Sequence, residues 1–491
     1  MSKTDKTDKN IKSENSELFL SEESSKDSLN LNPSNLSTNK LAKSKLNYLQ
    51  TILIGFGFLA SSLAWSIYNS QVPLILENRF FLSGTAIGSI MTIDNFFGVI
   101  FQPIIGSWSD NTRTSIGRRM PWIAFGLPVC AILYAFIPLQ NTLWLFMLII
   151  ILFNLIMSLW RSPVIALMPD VTIKKHRSQA NGIINMMGGI GAILAFFFGG
   201  LLAKLSEDKF YPFLFASIVM LISLAILLIF IREPDSISYK EENNLEIKNS
   251  LANKWAIDAR EALNFEDNHS RVPNSKLNSK AMPKASTDKS KNKALVPFLD
   301  LSKFEKFNLM LILLAILFWF MGFNAIETFF TLFATKNFNI SDGDATMMLT
   351  GFSLAFLVFA IPAGLLGRKI GQRKTIIIGL IGIIVLFIPI LFNPEIVLVR
   401  ILLVGGGIFW AFININSLPL VLESSKTETV GSFTGYYYLF SFTAAILSPI
   451  LFGFIKDIVG NYGPLFIYSI VFFALALLAI FLMKPNNKQN L

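Results

Sequence analysis

A helix needs about 20 consecutive apolar residues to cross the roughly 30 Å hydrocarbon core of a bilayer. This chain meets that length twelve times, near 47–75, 83–107, 120–139, 142–168, 178–203, 211–232, 305–334, 342–366, 374–392, 395–421, 430–456 and 463–483. So many runs cannot be internal helices of a soluble core. Charged residues make up only 15% of the chain, against about 25% in ordinary soluble domains, too few to coat that much buried surface with polar groups. The runs predict an all-α membrane protein of twelve transmembrane helices. They fall into two six-helix halves, 47–235 and 303–485, with a polar central loop at 236–302 and polar tails at 1–46 and 486–491.

The first 45 residues are rich in Ser, Asn, Lys and Asp and contain no apolar h-region. They predict a disordered tail rather than a signal peptide, so the first membrane helix is expected to serve as its own targeting signal. Lys and Arg set the expected orientation. Arg113, Arg118 and Arg119 follow the second run, Lys174, Lys175 and Arg177 the fourth, and Arg368, Lys369, Arg373 and Lys374 the eighth. The alternate loops are poorer in basic residues, with Arg79 alone in the first and none between Pro138 and Asn141. Both termini and the central loop are therefore expected in the cytoplasm, with the chain multi-pass in the cell membrane. The net charge of +10 belongs to this anchoring pattern, and no nucleic-acid partner is expected.

Several function classes drop out. Cys130 is the lone cysteine, and His176 and His269 are the only histidines, so no disulfide framework or Cys-based metal site is available. No Walker loop is present, which removes ATP as an energy source. No His cluster, Ser–His set or carboxylate pair marks a membrane enzyme. A transporter-like membrane sensor stays as the alternative from another class; its mark would be a folded signalling domain, which the polar central loop does not resemble.

The halves echo one another. Gly106-Ser-Trp-Ser-Asp110 with Gly117-Arg118-Arg119 follows the second run, and Gly367-Arg368-Lys369-Ile-Gly371-Gln-Arg373-Lys374 follows the eighth. Asp170 and Asn181-Gly182 match Glu423 and Thr434-Gly435 at constant offset. Two related halves about a central loop suit a rocking transporter, with substrate at the interface near the midplane.

The stretch GSWSDNTRTSIGRRMP, Gly106 to Pro121, resembles the loop signature of the major facilitator superfamily. Its long form is similar to the sucrose-transporter and glycoside–pentoside–hexuronide:cation symporter branch. Arg161-Ser-Pro163 through Pro169-Asp170, then Arg177-Ser-Gln-Ala-Asn181-Gly182, resembles the helix 4–5 region of sucrose-type symporters. The resemblance implies the major facilitator fold, alternating access and proton-coupled uptake of a glycoside or disaccharide (sucrose- or maltose-like). Asn154 and Ile165 stand where plant sucrose transporters carry an aspartate and an arginine, so neither role carries over. Melibiose-type relatives hold sodium with two aspartates one turn apart; here Asp94 is followed one turn later by Gly98, and a proton is the expected coupling ion.

An ionisable side chain deep in a bilayer costs roughly 2.5–3.5 kcal/mol and marks function by default. Asp94, about 17 Å into the second helix at 1.5 Å per residue, is expected to carry the proton, with Arg161 in the fourth helix as its neutralising partner. Glu327 and Asn324 share one face of the seventh helix and are expected to contact sugar hydroxyls, as are Tyr68, Asn69, Asn181, Asn185, Asn414 and Tyr437. This set is polar but weakly charged, which favours a neutral solute. Asp110, Arg113, Arg118, Arg119, Asp170 and Arg177 are expected to form a conformational latch that bridges the halves at the cytoplasmic helix ends in the outward-facing state and breaks on inward opening. No cofactor is expected, and the protein is expected to work as a monomer in the lipid bilayer. A facilitator, an exporter or another cation-coupled carrier of a neutral solute is the alternative.

Overall fold

The computed structural model describes residues 46–233, 301–392, 394–423, 425 and 429–483. The expected tails and central loop lie outside the described residues apart from their edges. The described residues from Leu49 onward form one compact body. Its described residues hold twelve helices long and apolar enough to cross a membrane, and no strand.

The first half comprises α1 (Tyr48–Asn78), α2 (Gly84–Asn111), α3 (Met120–Leu139), α4 (Leu143–Val171), α5 (Arg177–Ala203) and α6 (Phe210–Phe230). The second comprises α7 (Lys303–Phe338), α8 (Asp342–Ile370), α9 (Gln372–Phe392), α10 (Ile396–Leu422), α11 (Val430–Val459) and α12 (Leu465–Leu482). Lipid solvates the outer faces of such helices, so their ends need local stop and start signals. Ser83, Ser302 and Ser341 cap α2, α7 and α8 by accepting from the backbone N–H groups of Ala86, Glu305 and Asp344. At Ser302 the Glu305 carboxylate bonds back, completing a capping box. Gly460, at φ +80°, ends α11 in the left-handed conformation that glycine adopts without a Cβ clash.

The two halves repeat one packing scheme. In the first, α3 packs on α4 and α6, and α2 on α4; in the second, α9 packs on α10 and α12, and α8 on α10. The halves meet where α5 crosses α8 and α2 crosses α11. The helix ends carrying Gly106–Pro121 and Gly367–Lys374 define a motif end, and the opposite ends a far end.

At the far end the two crossings are built alike. A Cβ on Gly453 would stand 2.1 Å from the Gly84 carbonyl oxygen, and one on Gly343 would stand 2.3 Å from that of Gly200. Backbones this close leave room for hydrogen only. Four residues beyond each helix-end glycine, a charged side chain reaches the start of the opposing helix. Asp457 accepts from Gly84 N (2.6 Å) and Thr85 N (2.8 Å) at the N-terminus of α2. Lys204 donates to Asp344 (2.6 Å) at the N-terminus of α8. Lys209–Asp342 (2.8 Å) and a Tyr462 hydroxyl donating to Glu77 add to the closure. Burial and the neighbouring Glu77 push the Tyr462 phenol up, which keeps it a donor.

Candidate functional site

A cavity of about 1040 Å³ lies between the halves, its walls drawn from both. Asp94, Arg161, Asn69, Asn324 and Glu327 all line it. Thr92 interrupts α2, and Asp94 enters the first turn of the segment that restarts there, where a carboxylate is favoured by the helix dipole. Its Oδ1 accepts from Asn95 Nδ2 at 3.0 Å. Arg161 forms no ion pair with Asp94; its guanidinium lies over the Trp65 ring, 5.7 Å from the centroid. Asp94 and Arg161 thus face one water-accessible space without neutralising each other by contact.

Glu327 accepts from Asn69 Nδ2 at 3.2 Å, a bond that joins α7 to α1 across the halves. Beneath it, Gln71 donates to Thr346 (2.8 Å) and Thr331 to the Ser70 carbonyl (3.0 Å), also between halves. These bonds and the far-end closure seal one side of the cavity. Toward the motif end the lining continues through Gln102, Pro103, Ile165 and Gly435. Ile165, Tyr438 and Leu439 line it yet remain 44, 49 and 61% exposed, so this side is open.

A second chamber of about 180 Å³ opens from the first, sharing Ser66, Asn69, Ala192 and Glu327 with it. It penetrates the second half between α7, α8 and α10, and its remaining lining is mostly aromatic.

Several expected contacts fall elsewhere. Tyr68 is fully buried behind Trp65 and stacks on Phe153. Asn181 and Asn185 lie near the motif end of α5, bonded to each other, and line neither chamber. Asn414 only supplies its carbonyl to Ser417. Tyr437 is buried with its hydroxyl 3.2 Å from that of Ser417, while its neighbour Tyr438 lines the cavity instead. None of these side chains lines either chamber, and apolar flanks on all sides leave little record of helix rotation in the sequence. The reading from sequence also missed Trp65, Asn95 and Gln102. Asn95, beside Asp94, and Gln102, seven residues further on α2, carried a usable helical spacing.

With the motif end open, the residues expected to latch the halves bond as follows. Arg118 donates to Asp170 through Nε (3.1 Å) and Nη2 (2.8 Å), and Arg119 Nε donates to the same carboxylate at 2.9 Å. Arg119 also pairs with Asp110. Arg113 donates to the Asp110 and Thr112 carbonyls, and Arg177 to those of Pro169 and Thr172. All these partners belong to the first half. They tie α2, α3 and α4 into one block, together with Glu233, which the sequence reading left out. Glu233 is fully buried and accepts from the backbone N–H groups of Arg119 (2.9 Å) and Met120 (3.2 Å) at the start of α3. Burial pushes its carboxyl above the ordinary range, against the pull of those donors.

Two gated halves around a polar central chamber define a secondary transporter. The sequence model of the Major Facilitator Superfamily matches residues 54–341 and 312–491, and the chain belongs to that superfamily. It is a transporter and not an enzyme. It is 32% identical to the Tetracycline resistance protein, class H, of Pasteurella multocida over 30% of this chain and 35% of that one. To an uncharacterized symporter of Synechocystis it is 28% identical over 34% of each chain. The chain therefore matches about a third of the length of these two relatives. Multidrug resistance protein 2 of Bacillus subtilis is 24% identical over 84% of this chain and 90% of its own. Among solved structures, the nucleoside transporter NupG superposes with TM-score 0.59 at 13% identity, covering 89% of this chain and 98% of its own. A bacterial homolog of the human lysosomal transporter Spinster gives 0.65 at 12%, covering 90% and 97%. At these identities the structural likeness concerns the fold alone.

Proposed function

We propose that the chain is a proton-coupled symporter that takes up a neutral glycoside or disaccharide across the cell membrane, working as a monomer. The motif end and both termini face the cytoplasm in this reading, so the cavity is open inward. The observation that carries it is the charge inventory of the central chamber. Asp94 and Glu327 bring two carboxylates and Arg161 one cation. One bound proton makes the set neutral, and its release leaves one net negative charge that low-dielectric surroundings oppose. Asp94 is the proton carrier and Arg161 its electrostatic counterweight. Amides and hydroxyl-bonding groups at Asn69, Asn324, Gln102 and Glu327 match a polyhydroxylated solute, with Trp65 and Tyr438 offering faces to its C–H surface. The volume exceeds the usual 300–1,000 Å³ range of small-molecule sites, leaving room for two sugar rings with water.

The similarity to Multidrug resistance protein 2 along most of the chain, together with an aromatic chamber beside Glu327, favours export of an amphipathic cation as the second reading. Proteoliposome uptake of labelled maltose and sucrose, with and without an imposed proton gradient, separates the two. Accumulation abolished by a protonophore supports symport. Absence of uptake by folded protein, with proton-driven movement of a lipophilic cation, would replace it with the exporter.

A further inference from the structure

The aromatic chamber is a poor home for sugar. Phe323 and Trp410 stack with centroids 4.0 Å apart and planes 3° from parallel, and Phe196, Phe352, Phe356 and Leu403 stand among the other walls. Beyond the residues shared with the polar cavity, Ser353 brings the chamber's only hydroxyl and no amide or charge joins it. A hydroxyl of a sugar buried there would lose its water partners without replacement, at a cost of a kcal/mol or more apiece. The volume, about 180 Å³, is close to that of a roughly 150 Å³ apolar protein cavity that stays dry and takes up benzene. Its mouth is formed by Asn69 and Glu327, which bond to each other across the two halves.

We infer that this chamber receives one apolar ring of the substrate, so that the transported solute is amphipathic: a polar head held at Asn69 and Glu327 and an aryl or similar flat group seated against Phe323 and Trp410. The head chemistry rests on the sugar reading given above; the ring site rests on the chamber alone. Because the ring would pack among α5, α7, α8 and α10, it also couples the two halves. The Ser66, Asn69, Ala192 and Phe196 walls belong to the first half and the others to the second. A ring-bearing substrate would thus add contacts to both halves beyond those its polar head makes at Asn69 and Glu327.

The test is equilibrium binding to the full-length protein in lipid nanodiscs, using methyl α-glucoside, phenyl α-glucoside and phenyltrimethylammonium. Burying one phenyl group contributes enough for roughly a 10- to 100-fold gain in affinity, so the phenyl glucoside is expected to bind tighter than the methyl glucoside by that ratio. Ser353→Leu and Leu403→Phe each fill the chamber from a different helix. Both are expected to bring the ratio close to one, with thermal melting confirming that each variant is folded. Equal binding of the two glucosides to the unaltered protein, or a ratio that survives both variants, overturns the ring site while leaving the sugar reading intact. Binding of phenyltrimethylammonium alone, weakened by the filling variants, upholds the ring site and discards the sugar head. No binding of any of the three overturns the ring site.

Discussion

Replacing Gly453 with alanine should open the far end of the protein. The added Cβ would lie 2.1 Å from the Gly84 carbonyl oxygen, where contacts under 3.0 Å are essentially never seen. The atoms it meets are backbone, Gly84 O and C and Thr85 N, and no side-chain rotation relieves the clash. α2 and α11 must separate by about 0.9 Å, the difference between those two distances. The bonds from Gly84 N and Thr85 N to Asp457, now 2.6 and 2.8 Å, would stretch to about 3.5 and 3.7 Å, past the range of an effective hydrogen bond. Hydrogen bonds to a charged group contribute about 1.5–3 kcal/mol each. Water can replace part of this at a partly exposed helix end, so a net loss of about 1–3 kcal/mol is expected, which shifts the equilibrium between closed and open far ends roughly 5- to 150-fold. Spin labels at Leu205 and Phe392, 66 and 80% exposed at the far ends of α5 and α9, report the separation by pulsed electron resonance. Cys130 is buried and does not compete for label. Gly453→Ala should enlarge the long-distance population, whereas Gly435→Ala on the same helix, where a Cβ meets nothing within 4 Å, should not. An unchanged distance distribution in Gly453→Ala would refute the idea that glycine contact holds the closure.

Asp94→Asn should abolish accumulation against a gradient while leaving counterflow exchange, measured as labelled-solute entry into preloaded proteoliposomes; retained accumulation would remove Asp94 as the proton carrier. Arg119→Ala strips Asp170 of one of its two guanidinium partners and Asp110 of its pair. Asp170 keeps Arg118 and Asp110 is solvated, so a cost of about 1.5–3 kcal/mol is expected, read as a fall in melting temperature, with Arg119→Lys in between. Glu233 should make stability depend on pH. Its folded pKa lies above the ordinary 4.5, so the folded state holds the proton more tightly. The associated stability is full below the unfolded value and is lost as pH rises through the folded one. Melting curves from pH 4 to 8 should therefore show the unaltered protein losing ground against Glu233→Gln as pH rises. Glu233→Ala, which leaves the Arg119 and Met120 N–H groups without their acceptor, should melt lower than both at every pH.

What the sequence determined was whatever a single residue or a short window decides. Twelve spans follow from local hydropathy, because crossing hydrocarbon is a condition on about 20 neighbouring residues. Asp94, Arg161 and Glu327 stood out because a charge at that depth is costly wherever its helix faces, and all three reach one cavity. The family signature at Gly106–Pro121 was legible too, since its arginines, aspartate and glycines fall within one short stretch. Which way an uncharged polar residue points depends on helix rotation, and a helix apolar on every side carries little record of it. That is why Tyr68, Asn414 and Tyr437 were expected in the lumen and line neither chamber, while Trp65 was passed over. Partner choice was equally hidden. The Arg118–Arg119–Asp170 cluster stays within one half because α2, α3 and α4 pack as a block, although its charges alone would fit either half. The far-end glycine crossings and the aromatic chamber join residues more than a hundred positions apart, such as Gly84 with Gly453 and Phe196 with Trp410. Only the packing of the two halves brings those surfaces together, and that packing decided where the cavity is closed, where it is open and what shape it presents to a solute.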